Sequence, residues 1–316
     1  MTRTDDDAWD ITESVGATAL GVAMARAAES RSGCPLFVDE FAQWFVDAAI
    51  ARGWESPFGS GSAAADPEVD PALERLQRRI ETIWAYAASR TKHFDDFFIA
   101  AGAAGIQQVV ILAAGLDARA WRLPWVTGTV VYEIDQPKVL EFKAETLRAR
   151  AATAAARDVA IPVDLRQDWP GALQQAGFDA GRPTAWLAEG LLPYLPSAAQ
   201  DLLFERIQQL SAPDSRIAVE AFGPDYFDEE KIRERRARMQ EMRDAAANAG
   251  REIADVSELF FNEPHADVAD WLRDHGWEVG SETSAQVVGR HKPDLSPSDI
   301  QNPGSVFVEG RLLPGR

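Results

Sequence analysis

The sequence predicts an α/β protein built on one mostly parallel sheet with helices on both faces. Three observations carry this. Val109-Val110-Ile111-Leu112 runs into the small residues Ala113-Ala114-Gly115, the pattern of a buried parallel strand whose end passes close to a ligand. Val130-Val131-Tyr132-Glu133-Ile134-Asp135 repeats the apolar run and ends in a carboxylate. Further apolar runs then alternate with helical periodicity as far as Phe222, which implies βαβ units with right-handed crossovers.

The elements follow in order. Ile11 to Ala28 is Ala-rich with helical apolar spacing, and Val38 to Ala51 repeats the signal with Phe41, Trp44, Phe45 and Ala48 on one face. Ser56 to Ser62, followed by Asp66-Pro67, is a loop by composition and the segment most inclined to disorder. A helix beginning near Pro71 runs toward Ile99 and carries Arg90 into the first strand. Pro137 to Ala156 reads as a helix, and Val159 to Asp164 as a third strand, at an edge or irregular because it contains Pro162. Trp169 to Ala176 is a short helix, Pro183 to Gly190 a fourth strand, and Ser197 to Leu210 a helix capped by Ser197. Ile217 to Phe222 is a fifth strand, and the charge-dense Asp228 to Gly250 is a solvated helix. A last helix, Ala266 to His275, stops at Gly276. Trp277 to Thr283 and Val306 to Leu313 then form an antiparallel edge hairpin joined through Lys292 to Gly304. One main domain is expected, with residues 1–100 as a helical N-terminal cover, 101–316 as the cofactor-binding domain, and a helical insertion near 224–264.

Composition narrows the function classes. The 316 residues are 46% hydrophobic and 26% charged, ordinary for a chain with a large core. A formal charge of -18 opposes a phosphate backbone, so nucleic acid is a poor partner. The single cysteine, Cys34, cannot form an intramolecular disulfide, and without a second soft ligand it does not suggest zinc. Met1 to Asp10 lacks the basic-then-apolar order of a signal peptide, and no apolar run approaches the roughly 20 residues that span a bilayer. A cytoplasmic protein with no integral membrane association is expected; oligomeric state is left open.

The chemistry should lie beyond the carboxyl ends of the strands, where doubly wound sheets bind ligands. Gly115 with Asp117, Asp135, Asp164, and Glu189 with Gly190 stand at successive tips. Each acid alone is an ordinary cap or turn former, but their recurrence in register with a small-residue turn exceeds what capping requires. The dinucleotide fingerprint is absent because its positions read Ala113, Gly115 and Ala118, and no Walker pattern exists. A nucleoside cofactor without phosphates remains.

Arg90-Thr91-Lys92-His93-Phe94-Asp95-Asp96-Phe97, Leu112 through Leu123, Glu133-Ile134-Asp135-Gln136-Pro137, Val163-Asp164-Leu165 and Leu187 through Leu195 together resemble the S-adenosylmethionine-dependent methyltransferases related to leucine carboxyl methyltransferase, in their actinobacterial branch. The resemblance covers most of the chain. It implies a Rossmann-like class I methyltransferase fold, with a seven-stranded sheet and a helical N-terminal cover. Carried over, Gly115 lets the chain approach S-adenosylmethionine, Asp135 holds the ribose hydroxyls, and Asp164 with Leu165 binds the adenine edge. Arg90 pairs with the methionine carboxylate and Glu189 contacts the methionine amino group, a general-base role being its alternative. These roles suit carboxylates as acceptors and a guanidinium as a bidentate partner. Ala113 departs from the pattern, which often has glycine there, and this bears on affinity more than on fold.

The resemblance implies an O-methyltransferase acting on a carboxylate or hydroxyl of a small or lipid-like molecule. An S-adenosylmethionine-binding sensor without catalysis is the alternative. A carboxylate acceptor needs no base, whereas a hydroxyl does, and no catalytic residue is assigned. His93, His265, His275 and His291 sit in no nucleophile or metal motif, and no metal is expected. Tyr194 is a candidate pocket wall; Trp54, Trp84, Trp125 and Phe222 are weaker ones.

Overall fold

A computed structural model describes residues 11, 14–55, 71–223, 226–248, 259–261, 263–295 and 304–315. The expected loop at 56–67 therefore lies outside the described residues. Seven strands form one sheet in the order β3-β2-β1-β4-β5-β7-β6, with β1 Gln108–Leu112, β2 Val130–Asp135, β3 Arg157–Pro162, β4 Thr184–Ala188, β5 Arg216–Phe222, β6 Trp277–Thr283 and β7 Ser305–Leu312. The first five pair in parallel, and β7 runs antiparallel to both β5 and β6. Strand order reverses between β1 and β4, which opens a crevice above their carboxyl ends. This is the Rossmann-like α/β sheet with antiparallel edge strands that the sequence predicts.

Ten α-helices are described: α1 Ser14–Ser30, α2 Glu40–Ala51, α3 Pro71–Ala103, α4 Arg119–Arg122, α5 Pro137–Ala149, α6 Trp169–Gln175, α7 Ser197–Gln209, α8 Glu229–Asn248, α9 Val268–Asp274 and α10 Ser284–His291. Period-two alternation divides the sheet's apolar residues between its faces. Val110, Leu112, Ile134, Trp186 and Val219 pack with Trp169, Phe204 and Leu272 of α6, α7 and α9. Val109, Ile111, Val131, Leu187 and Ala218 face Phe94, Phe97 and Phe98 of α3 and Val287 and Val288 of α10. A third cluster joins Leu20, Phe41 and Phe45 of α1 and α2 to Leu116 and to Val139 and Phe142 of α5. It brings the N-terminal helices against the β1–α4 turn.

Several boundaries differ from expectation. Helix α5 ends at Ala149 rather than Ala156, because the chain reverses at Ala151 with φ +52. Strand β3 ends at Pro162, so Asp164 stands two residues beyond it, and β3 is indeed an edge strand. Pro196 is the N-cap of α7 and makes no side-chain bond; Ser197 is the first helical residue, and its N–H goes to Glu263 Oε1 at 2.6 Å. The final strands are not a short hairpin, since α10 lies between them. Its capping box, Thr283 with Gln286, is the start signal the sequence reading passed over.

Candidate active site

The crevice is a cavity of about 600 Å³, within the usual range for small-molecule sites. Arg90, Gly115, Asp117, Asp135, Asp164, Leu165 and Glu189 all line it, with Thr18 and Ala19 of α1, Tyr194 and Phe261 around the rim. Residues spread over a hundred positions converge because each follows a strand end, apart from Arg90, which α3 delivers across the sheet.

The floor is the turn after β1. Ala113 and Gly115 both adopt left-handed backbone, with φ +51 and +52. Gly115 does so without strain, while Ala113 carries a Cβ penalty. A Cβ on Gly115 would sit 3.6 Å from Ala19 Cβ, so α1 closes tightly over this turn. Arg26 fastens it there, donating from Nη2 to Leu116 O at 2.6 Å and from Nε to Asp39 Oδ2 at 2.9 Å. Asp135 accepts the N–H of Gly115 and of Gln136, each at 2.6 Å, so the β2 tip is bonded to the β1 turn. Burial nevertheless raises the Asp135 carboxyl above its ordinary value.

Asp164 is engaged by Arg166, which donates from Nε at 2.9 Å to Oδ1 and from Nη2 at 2.7 Å to Oδ2, and by Gln136 Nε2 at 3.2 Å. Its carboxylate is thus held in a small polar cluster beside Leu165 at one end of the cavity.

At the other end lies a dense charge network. Glu189, just beyond β4, has Oε1 2.8 Å from Arg90 Nε as an ion pair and accepts from Arg119 Nη1 on Oε2 at 2.8 Å. Arg119 also donates from Nε to Asp95 Oδ1 at 2.7 Å and from Nη1 to Asp117. Arg122 holds both oxygens of Asp95 at 2.6 Å. Burial by itself would raise Glu189, but Arg119 and then Arg90 outweigh it and hold the carboxyl below its ordinary value. Asp117 is held low in the same way, by Arg119 and then Lys143 against burial. Burial disfavours the Arg90 and Arg119 cations, yet the surrounding carboxylates keep both guanidinium groups firmly charged. Glu189 is therefore an anion locked between two cations, a poor proton acceptor and a good partner for an ammonium group.

Beneath the floor, Lys143 donates to Glu133 Oε2 at 2.5 Å, both side chains being almost wholly buried. Burial pushes the Glu133 carboxyl up to about 8 even with Lys143 beside it.

Two members of the charge network escaped the sequence reading. Arg119 stands inside the quoted Leu112 to Leu123 block, but nothing in the sequence says which carboxylates it meets. Glu220 near the end of β5 accepts from Arg90 Nη1 and from Gly190 N, each at 2.9 Å. Its signal was legible, a carboxylate inside Val219-Glu220-Ala221 at a fifth strand tip. Tyr194 lines the cavity, whereas Trp54, Trp84, Trp125 and Phe222 do not. Trp54 is buried in the N-terminal cluster and Trp125 packs on the α3 face. No histidine lines the cavity either; His93 lies 3.2 Å from Glu309, and His275 stacks on Trp271. Cys34 is exposed. Among the described residues no group of three or more His, Cys, Asp and Glu is arranged to hold a metal ion, and no helix is long and apolar enough to cross a membrane.

The leucine carboxyl methyltransferase family profile matches residues 19–208. A Mycolicibacterium paratuberculosis protein provisionally named an S-adenosyl-L-methionine-dependent methyltransferase is 54% identical, over 98% of this chain and 96% of its own length. A Mycobacterium tuberculosis protein with the same provisional name is 51% identical, over 98% and 99%. Among solved structures, a DUF574 family protein from Streptomyces avermitilis superposes with a TM-score of 0.52 at 15% identity, covering 80% of this chain and 93% of that one; this is a likeness of fold.

Proposed function

The chain belongs to the leucine carboxyl methyltransferase family and is an S-adenosylmethionine-dependent methyltransferase, and on that premise we propose that it methylates oxygen, with a carboxylate of a small or lipid-like molecule as the favoured acceptor. The observation that carries the reading is Glu189, anionic and pinned by Arg90 and Arg119 in a cavity that Gly115, Asp135, Asp164 and Leu165 also line.

The residues fit the donor. Asp135 would accept from the ribose hydroxyls, and Asp164 with Leu165 would meet the adenine edge. Glu189 would take the methionine ammonium. Arg90, which lines the cavity, would take the methionine carboxylate. When bound, S-adenosylmethionine supplies an electrophilic methyl group. The protein's part is then to hold an oxygen nucleophile in line with that methyl and to keep water out. Because Glu189 is locked as an anion between two arginines and no histidine reaches the cavity, an acceptor already ionised at neutral pH suits the site better than a neutral hydroxyl. We further propose that helix α1, whose Thr18 and Ala19 line the cavity, and Phe261 contribute to acceptor selection.

The test is methyl transfer from labelled S-adenosylmethionine to a panel of carboxylic acids and phenols. Product from an acid, with label released by mild alkali as expected of an ester, supports the reading; product only from phenols overturns the choice of acceptor. The strained Ala113 at the cavity floor favours one second reading, a donor-binding sensor without turnover. Donor bound with no transfer to any acceptor would support that reading.

A further inference from the structure

We infer that Glu220, held by Tyr86, is a positioning residue that sets Arg90 for the carboxylate of the methyl donor. The inference rests on the donor site proposed above.

Strands β4 and β5 pair with Ala188 beside Val219, so Glu220 comes abreast of the turn that follows β4. One oxygen does two jobs. Glu220 Oε2 accepts from Arg90 Nη1 at 2.9 Å and from Gly190 N at 2.9 Å, which ties a side chain of α3 to the backbone after β4. Its other oxygen accepts the Tyr86 hydroxyl. Tyr86 is buried and stacks on Phe307, so its phenol is fixed by the core. Tyr86 and Arg90 are four residues apart on α3 and thus share a face, with the Arg90 guanidinium 5.9 Å from the Tyr86 ring centre.

The consequence is a guanidinium with its orientation fixed. Nη1 is hydrogen-bonded to Glu220, while Nε lies 2.8 Å from Glu189 as an ion pair without a hydrogen bond, so Glu220 makes the directional contact on a side chain that lines the cavity. Glu220 does not line the cavity, so it acts through Arg90 rather than by contact. Gly190 completes the arrangement. Its φ is +63, and a Cβ there would lie 3.6 Å from Arg90 Nη1 and 3.8 Å from Glu220 Oε2.

Calorimetry with two ligands tests this. S-adenosylhomocysteine carries the amino-acid carboxylate, and S-adenosyl-3-thiopropylamine is the same molecule without it. For Glu220→Ala, affinity for S-adenosylhomocysteine should fall about tenfold or more, while affinity for the amine changes less than about threefold, because only the former uses the Arg90 pair. Tyr86→Phe should move the same way by a smaller factor. Glu220→Gln offers an oxygen to Arg90 and Gly190 and an N–H to the Tyr86 oxygen, so it should restore near wild-type affinity if geometry matters and charge does not. Equal losses on both ligands in Glu220→Ala would mark a merely structural role and overturn the inference. So would a Glu220→Gln variant as weak as Glu220→Ala. A wild-type protein that binds neither ligand would defeat the donor assignment itself, and the inference with it.

Discussion

Replacing Arg119 by methionine should destabilise the protein by about 3–4 kcal/mol at pH 7, well above the roughly 1 kcal/mol of a typical single substitution. The guanidinium is 2% exposed and meets Asp95, Asp117 and Glu189, with Thr91 O at 3.3 Å. A methionine side chain fills much of the same space and donates nothing, so only the backbone N–H of residue 119 still reaches Asp117, at 2.6 Å from Oδ1. Breaking a buried pair from one side costs about 3–5 kcal/mol, because the stranded charge keeps its desolvation penalty. Here the carboxylates are not equally exposed to that loss. Asp95 retains both bonds from Arg122, and Glu189 retains Arg90, so the deficit falls mainly on Asp117 and the expectation sits in the lower half of the range. Against a total of about 5–15 kcal/mol this is a large fraction.

Urea unfolding followed by tryptophan fluorescence reads the loss through the midpoint at unchanged slope. The pH dependence supplies a second readout. In the wild type, Asp117 and Glu189 have lowered folded values, so their stabilisation is present above the unfolded carboxyl range and is lost only as pH falls through those lowered values. Without Arg119, burial acts with less opposition and the folded values rise. The variant then loses stability as pH climbs past the unfolded range, so the gap between the two proteins widens from about pH 4 to pH 7. A gap under about 1 kcal/mol at pH 7, or one independent of pH, would refute the assignment of Arg119 as the neutralising centre.

Ala113→Gly should stabilise the fold by roughly 0.5–1 kcal/mol, since removing a left-handed Cβ outweighs the added freedom of the unfolded chain; a melting temperature about 1–2 °C higher is the readout. Glu133 has a folded value raised to about 8, so it binds more protons in the native state and stability should fall as pH rises from about 4.5 to 8. Glu133→Gln should flatten that decline, measured by urea midpoints at pH 5 and pH 8. Glu189→Gln should weaken S-adenosylmethionine roughly 10- to 100-fold, the worth of a charged hydrogen bond, with little change for 5′-methylthioadenosine, which lacks the amino-acid end.

The sheet was readable because buried parallel strands announce themselves as apolar runs between helical periods, and all of β1 to β7 lie within two residues of their expected bounds. Local signals failed where tertiary contacts decided the ends. Ala151 stops α5 although the Ala-rich run continues, and α10 hides in a short segment with only a capping box to mark it. Asp135, Asp164 and Glu189 came from strand-tip position and resemblance together, and all three line the same cavity. Arg119 and Glu220 were not assigned: Glu220 stood legibly near a strand end, but its partners lie 30 to 134 residues away, and apart from neighbouring Asp117 those of Arg119 lie 24 to 70 residues away, which sequence spacing does not reveal. The same limit explains the tryptophans: Trp54, Trp84 and Trp125 are weak pocket candidates by sequence among ten expected to be mostly core, and core packing holds Trp54 and Trp125.

The most direct test of a donor site built on Asp135 is titration calorimetry of S-adenosylhomocysteine into the wild-type protein and Asp135→Ala. Saturable one-to-one binding is expected for the wild type, with a loss of roughly 10- to 100-fold or more in the variant, whose proposed ribose acceptor is gone and whose Gly115 and Gln136 N–H groups lose their partner. No binding to the wild type, or equal binding to both proteins, would contradict it.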